Sequence, residues 1–275
     1  MSIVFAGIFV YFVIIPIINI FKIPKNPGPT TDKSKESFLI AKRMEMFRKN
    51  KYLQSINFDF SGLENTKENY DRIIKILEKE AAKIRKKHVS QLFYSTSIAQ
   101  NGFLDAVLIL SAGINHIKEI FLLYEGRVSN RDLITIGKKI YFSMAIGGSE
   151  GIEYATQEIF SKFATEGMKS IPFIDKILAS IADGFVNAAL LTRISYITEN
   201  YCKLTYIKSE RDIYPSPQFV FGSAKNITAH MIEKIYAAIG KMALERTHQS
   251  FEKRKNDGTG KINRKSACLR IGKID

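Results

Sequence analysis

Apolar and polar positions along this chain recur with helical rather than strand period. Met1 to Phe21 carries no charged side chain, and about 20 apolar residues suffice to cross a bilayer. No basic residue precedes the run and no small-residue cleavage site closes it, so it predicts a retained transmembrane helix over 1–22 rather than a signal peptide. Lys22, Lys25, Lys33 and Lys35 follow, which places the short N-terminus outside and the bulk of the chain in the cytoplasm. Pro27 and Pro29 around Gly28 mark a linker. Asp32 or Ser34 then caps a basic amphipathic helix over Lys35–Leu53. That helix sets Phe38, Ile40, Met44, Phe47 and Leu53 against Lys42, Arg43, Arg48, Lys49 and Lys51. It suits either an anionic membrane surface or packing on its own protein.

From Thr66 the spacing of Tyr70, Ile73, Ile74, Leu77, Ala81 and Ile84 predicts a long helix reaching His88 or beyond. Ser129 caps a helix over Asn130–Ile146, and Gly147, Gly148 and Gly151 loosen the chain before a shorter helix over Ile152–Phe163. Pro172 opens a helix running to Leu204 whose Ala, Ser and Gly content lets backbones approach closely. Tyr214 to Pro217 is a break, Asn226–Lys255 is a further amphipathic helix, and the basic tail reads as disordered. The expected fold is all-α: an N-terminal transmembrane helix followed by a membrane-associated helical bundle. The expected divisions are an anchor at 1–22, a linker and basic helix at 23–65, a helical domain at 66–205, a helical segment at 206–252 and the tail at 253–275.

The central stretch, Ser97 to Arg127, is mostly apolar yet carries Asn101, Asp105, His116 and Glu119 along one helical stripe. Ionisable groups in hydrocarbon cost several kcal/mol unless paired or hydrated. The stripe must therefore face another helix, a wet cavity or the headgroup region. Asp183 and Arg193 lie in the other apolar segment, 177–192 with its flank. Pairing across the two segments is the simplest remedy for burial. The expectation is that these segments pack together, with Arg193 near Asp105 or Glu119.

Catalytic signals are weak. Gly258 to Lys261 resembles a piece of a phosphate loop, but Lys255 and Ile262 break the pattern. His88, His116, His230 and His248 have no metal-ligand spacing, and Cys202 and Cys268 match no redox motif. Glu150, Glu153 and Glu158 read as a solvated face, and no nucleophile elbow is present. The expectation is no enzyme, no cofactor and no metal. The net charge of +14 suits an anionic partner. Anionic membrane lipid is the first candidate; nucleic acid held by the Lys253–Lys265 tail is a weaker one.

The runs GFLDAVLILSAGINHIKEIFLLYEGR, YFSMAIGG and IPFIDKILASIADGFVNAALLTRISYIT resemble the YcjF-like family of bacterial inner-membrane proteins over roughly residues 90–205. That domain also occurs fused to, or beside, Era-like GTPases. Its pattern falls here on Asp105, on Tyr124 and Gly126, and on Asp183, Gly184, Asn187 and Arg193. The chain departs from it in placing Glu125 inside the Tyr-Gly turn and Thr192 directly before Arg193. The resemblance implies a helical domain at the bacterial inner membrane, without established catalysis, whose link to a GTPase would act in trans. The leading expectation is thus a non-enzymatic, membrane-anchored helical module that meets a GTPase or another cytoplasmic protein. Its rival is a transport or pore component using the polar stripe as a pathway.

Overall fold

A computed structural model describes residues 25–98, 102–146 and 174–235, with 237, 238 and 241 beyond them. The expected span over Met1–Phe21, the helix over Ile152–Phe163 with its three glutamates, Cys268 and the basic tail lie outside the described residues.

The described residues are all-helical, with a single isolated bridge between Thr30 and Tyr206. The elements are α1 (Glu36–Arg48), α2 (Lys51–Ser55), α3 (Lys67–Ile98), α4 (Gly102–Glu125), α5 (Asn130–Ile146), α6 (Ile174–Lys203) and α7 (217–235). Helix α6 is the hub: α3, α4, α5 and α7 all pack against it. Helix α4 also packs on α3, and the expected pairing of the two apolar segments is present as the α4–α6 contact. Two lines of chain close one end of this bundle. The linker 25–30 and the segment after α6 meet there, where Thr30 N donates to Thr205 O and Ile207 N to Thr30 O, both at 3.0 Å.

Local chemistry sets most boundaries. Thr66 Oγ1 accepts from Asn69 N at 3.3 Å and opens α3. Gly126, at φ 70°, takes the left-handed position after α4, and its N–H reaches Leu122 O. Ser129 caps α5 as expected: its hydroxyl accepts from Asp132 N at 3.1 Å while Asp132 Oδ2 accepts from Ser129 N at 2.9 Å. Two boundaries differ from expectation. The helix over Lys35–Leu53 is broken at Asn50, whose side-chain oxygen accepts from Tyr52 N and Leu53 N and starts α2. Helix α7 begins at Pro217, not Asn226, because Ser216 accepts from Val220 N with proline at the favoured first position.

Two helices, Ala106–Glu125 and Lys176–Lys203, are long and apolar enough to cross a membrane by length and composition. Their surroundings differ: 56% of the second is buried inside the protein against 33% of the first. The apolar side chains of α6, among them Ile181, Phe185, Ala188, Leu191 and Ile197, are in the protein core. Its small residues act as expected. A Cβ on Gly184 would stand 2.1 Å from Ser97 Oγ and 3.1 Å from Phe93 O, so α3 and α6 meet backbone to backbone there.

Gly184→Val should therefore push α3 off α6. Overpacking of this kind costs about 1–3 kcal/mol. Denaturant unfolding should show that loss, with far-UV helicity retained below the transition.

Candidate functional site

No described cluster has the make-up of a reaction centre. Among the described residues no group of three or more His, Cys, Asp or Glu side chains is gathered to hold a metal. Cys202 is fully buried, and burial pushes its thiol well above the ordinary range. What the bundle does hold is a set of buried polar side chains, densest at the end where the linker arrives.

That end is organised by Arg43. It sits on α1 at helical spacing with Leu39, Ile40, Met44 and Phe47, and like them it is buried. Its guanidinium donates to Tyr201 O at 3.3 Å and Leu204 O at 3.0 Å, two carbonyls at the C-terminus of α6 left without helical partners. It also donates to Tyr70 Oη at 2.8 Å and to Pro27 O of the linker at 2.9 Å. Tyr70 Oη in turn donates to Lys203 O at 2.8 Å. The positive charge thus lies where the α6 dipole is negative. Glu125 Oε1, at the end of α4, stands 3.8 Å from Arg43 Nε. Burial pushes the Glu125 carboxyl up to about 7, reinforced by Asp132 and opposed by Arg43.

The linker is held from its other side by Asn26. Its backbone N–H donates to Asp132 Oδ1 at 3.0 Å and its amide to Asp132 Oδ2 at 2.9 Å and Arg127 O at 3.1 Å. Arg127 Nε returns a bond to Asn26 Oδ1 at 3.0 Å. Asp132 is fully buried and accepts from Asn26 and Ser129 together. Next along, a Cβ on Gly28 would lie 2.4 Å from Tyr201 Oη, so only glycine fits between the linker and that ring. Residues 25–30 are therefore part of the fold, not a loose tether.

The polar stripe of the central stretch has a different fate. Asn101 lies outside the described residues, as does the side chain of Asp105. His116 is fully buried and its ring packs edge-on against His88, with 5.2 Å between centroids. Neither ring nitrogen of His116 has a hydrogen-bond partner. Burial, with His88 and Arg85 nearby, lowers it to about 3. Glu119 turns to α3, 3.0 Å from His88 Nε2 and 3.7 Å from Lys87 Nζ. Asp183 is exposed. Arg193 faces α5, where it donates to Ser143 Oγ at 2.8 Å and Ser143 O at 2.6 Å. The expected pairing of Arg193 with Glu119 is thus corrected, because the two side chains leave their helices towards different neighbours.

A second buried ion pair lies higher in the bundle. Arg85 Nη1 meets Glu199 Oε1 at 2.5 Å and stacks 3.9 Å above the Tyr196 ring, while Ser195 Oγ donates to Glu199 at 2.6 Å. Burial raises the Glu199 carboxyl; Arg85 opposes it. Arg43, set on the basic face of its helix in the sequence pattern, and Arg85 each fall on the apolar stripe of their helix and are buried there in an ion pair. Phe38 is the converse: expected on the packed face of α1, it is 73% exposed. It flanks an open groove with Ala41, Lys42, Glu45, Arg48 and Asn65.

No protein-family model matches the chain, and no curated protein or solved structure matches it.

Two outcomes test this account. Arg43→Met keeps the bulk of the side-chain stem but leaves the α6 carbonyls and Pro27 O without a donor. Breaking a buried charged network costs about 3–5 kcal/mol, and trypsin should cut after Lys25 faster than in the native chain. His116→Leu should act in the opposite direction. A histidine at about 3 in the fold, against an ordinary 6.5, leaves stability intact above the ordinary value and loses it as pH falls towards the folded one. The leucine variant should gain about 1–2 kcal/mol at neutral pH by removing unpartnered buried nitrogens. Its acid-unfolding midpoint should move to lower pH.

Proposed function

We propose that the protein is a non-enzymatic module that an N-terminal span holds at the inner membrane and whose cytoplasmic helical bundle meets a protein partner. The observation that carries this reading is the clamped linker. The charge-free run Met1–Phe21 is followed within a few residues by a segment that Asn26, Arg43 and Thr30 bind to the bundle. A clamped linker suits an anchor that must present one side of the bundle. Helix α6 needs no bilayer to cover its apolar residues, so α4 and α6 are read as bundle helices. A GTPase as the partner rests on the YcjF-like resemblance of the runs around Asp105 and Asp183.

The pore reading gains no specific observation. A pathway needs His116 and Glu119 open to water. His116 is fully buried, whereas the half-exposed Glu119 pairs with Lys87 and His88 on α3.

The test uses the full chain in bacterial membranes. It should resist carbonate extraction, whereas Phe9→Arg with Val13→Arg should release it, since each arginine at mid-span costs about 2.5–3.5 kcal/mol. In a Cys268→Ser background, Gln91→Cys should react with an impermeant thiol reagent only after lysis. Carbonate release of the native chain, or labelling of Gln91→Cys in intact cells, would count against the anchor and its orientation.

A further inference from the structure

The described surface is not uniform around the bundle. The outward side of α3 is charged, with Arg72, Lys75, Lys79, Lys83, Lys86 and Lys87 all exposed. Helix α6 is largely enclosed by its neighbours. The outward sides of α4 and α5 are different: Val107, Leu110, Ile114, Ile134, Tyr141 and Phe142 are exposed, Leu110 at 65% and Tyr141 at 70%. Exposed Lys118 and Lys138 stand in the same helical rows, four residues on from Ile114 and Ile134. Long lysine stems can lie along apolar surface while the ammonium reaches a polar layer. Large apolar side chains interrupted by lysines suit the boundary between acyl chains and anionic headgroups.

The clamp says where this surface lies relative to the chain's entry. Asn26 is bonded to Arg127, in the turn between α4 and α5, and to Asp132, in the first turn of α5. The linker therefore leaves the bundle at the joint of the two helices that expose apolar side chains. Residues 22–24 can reach about 11 Å at most. On the anchor reading, which this inference rests on, the membrane surface must pass within that distance of Lys25. A bundle standing upright there would leave the exposed residues of α4 and α5 in water. Lying along α4 and α5 instead places them at the bilayer.

We propose that the outward sides of α4 and α5, which meet at the turn 126–129, form a membrane-contact surface, on which the bundle rests side-on against an anionic bilayer. The contact is interfacial: the two helices lie in the headgroup boundary and do not cross it. Phe38 on α1 is a lone exposed aromatic beside Glu45 and is not the contact.

The chain contains no tryptophan, so single substitutions report without background. Full-length Leu110→Trp, Tyr141→Trp, Phe38→Trp and Gln91→Trp would be reconstituted into phosphatidylcholine–phosphatidylglycerol vesicles, with and without acyl-chain bromination. Brominated lipid should quench emission at 110 and 141 by about twofold or more and leave 38 and 91 nearly unchanged. Tyr141→Trp exchanges one exposed aromatic for another and keeps the test open should Leu110→Trp fold poorly. Vesicle-bound protein with 110 and 141 unquenched would overturn the surface and leave the anchor standing; so would quenching at 38 in their place. Blue-shifted, unquenched emission at 110 and 141 would mean that another part of the chain or a second copy covers them, and would overturn it too. Protein that leaves the vesicles in carbonate would remove the anchor reading and this surface with it.

Discussion

A buried guanidinium decides how this chain closes. Arg43 supplies donors to the end of α6, to Tyr70 and to the linker. Burying a charge is expensive unless its donors are used and an opposite charge or dipole is near. Here the negative end of a long helix and Glu125 provide that compensation, and Tyr70 satisfies the carbonyl that Arg43 does not reach. Because the bonded atoms belong to segments distant in sequence, the interaction joins the linker, α1, α3 and α6 in one step.

The clamp has a mechanical consequence. Asn26, Gly28 and Thr30 each meet the bundle through a different contact: a carboxylate, an aromatic ring and a backbone bridge. The linker 25–30 thereby keeps one course past the turn between α4 and α5.

The polar residues inside the bundle share a simple logic. Arg85 with Glu199, and Arg43 with Glu125, place charges of opposite sign across helix pairs. His116 departs from that pattern: it sits in the core as a neutral ring against His88, its nitrogens unpartnered. Its neutral ring is a local weakness at the contact of α3 and α4.

Periodicity alone determined that the chain is helical, and caps such as Ser129 and Thr66 marked where helices start, because both signals are local and repeat along a few turns. The close approach of α6 to a neighbour was legible too, in its run of Ala, Ser and Gly. The partners of charged residues were not. Arg43 and Arg85 lie on apolar stripes, yet a stripe does not say which distant carbonyl or carboxylate waits opposite it. Arg193 was expected beside Asp105 or Glu119 by sign; it turns instead to Ser143 of α5, while Glu119 turns to α3. Nor does hydropathy tell a helix that faces lipid from one that faces protein. Both exclude water from the same side chains, so α6 and α4 read alike until their neighbours were in place. Only the tertiary structure enclosed α6 and left one side of α4 open.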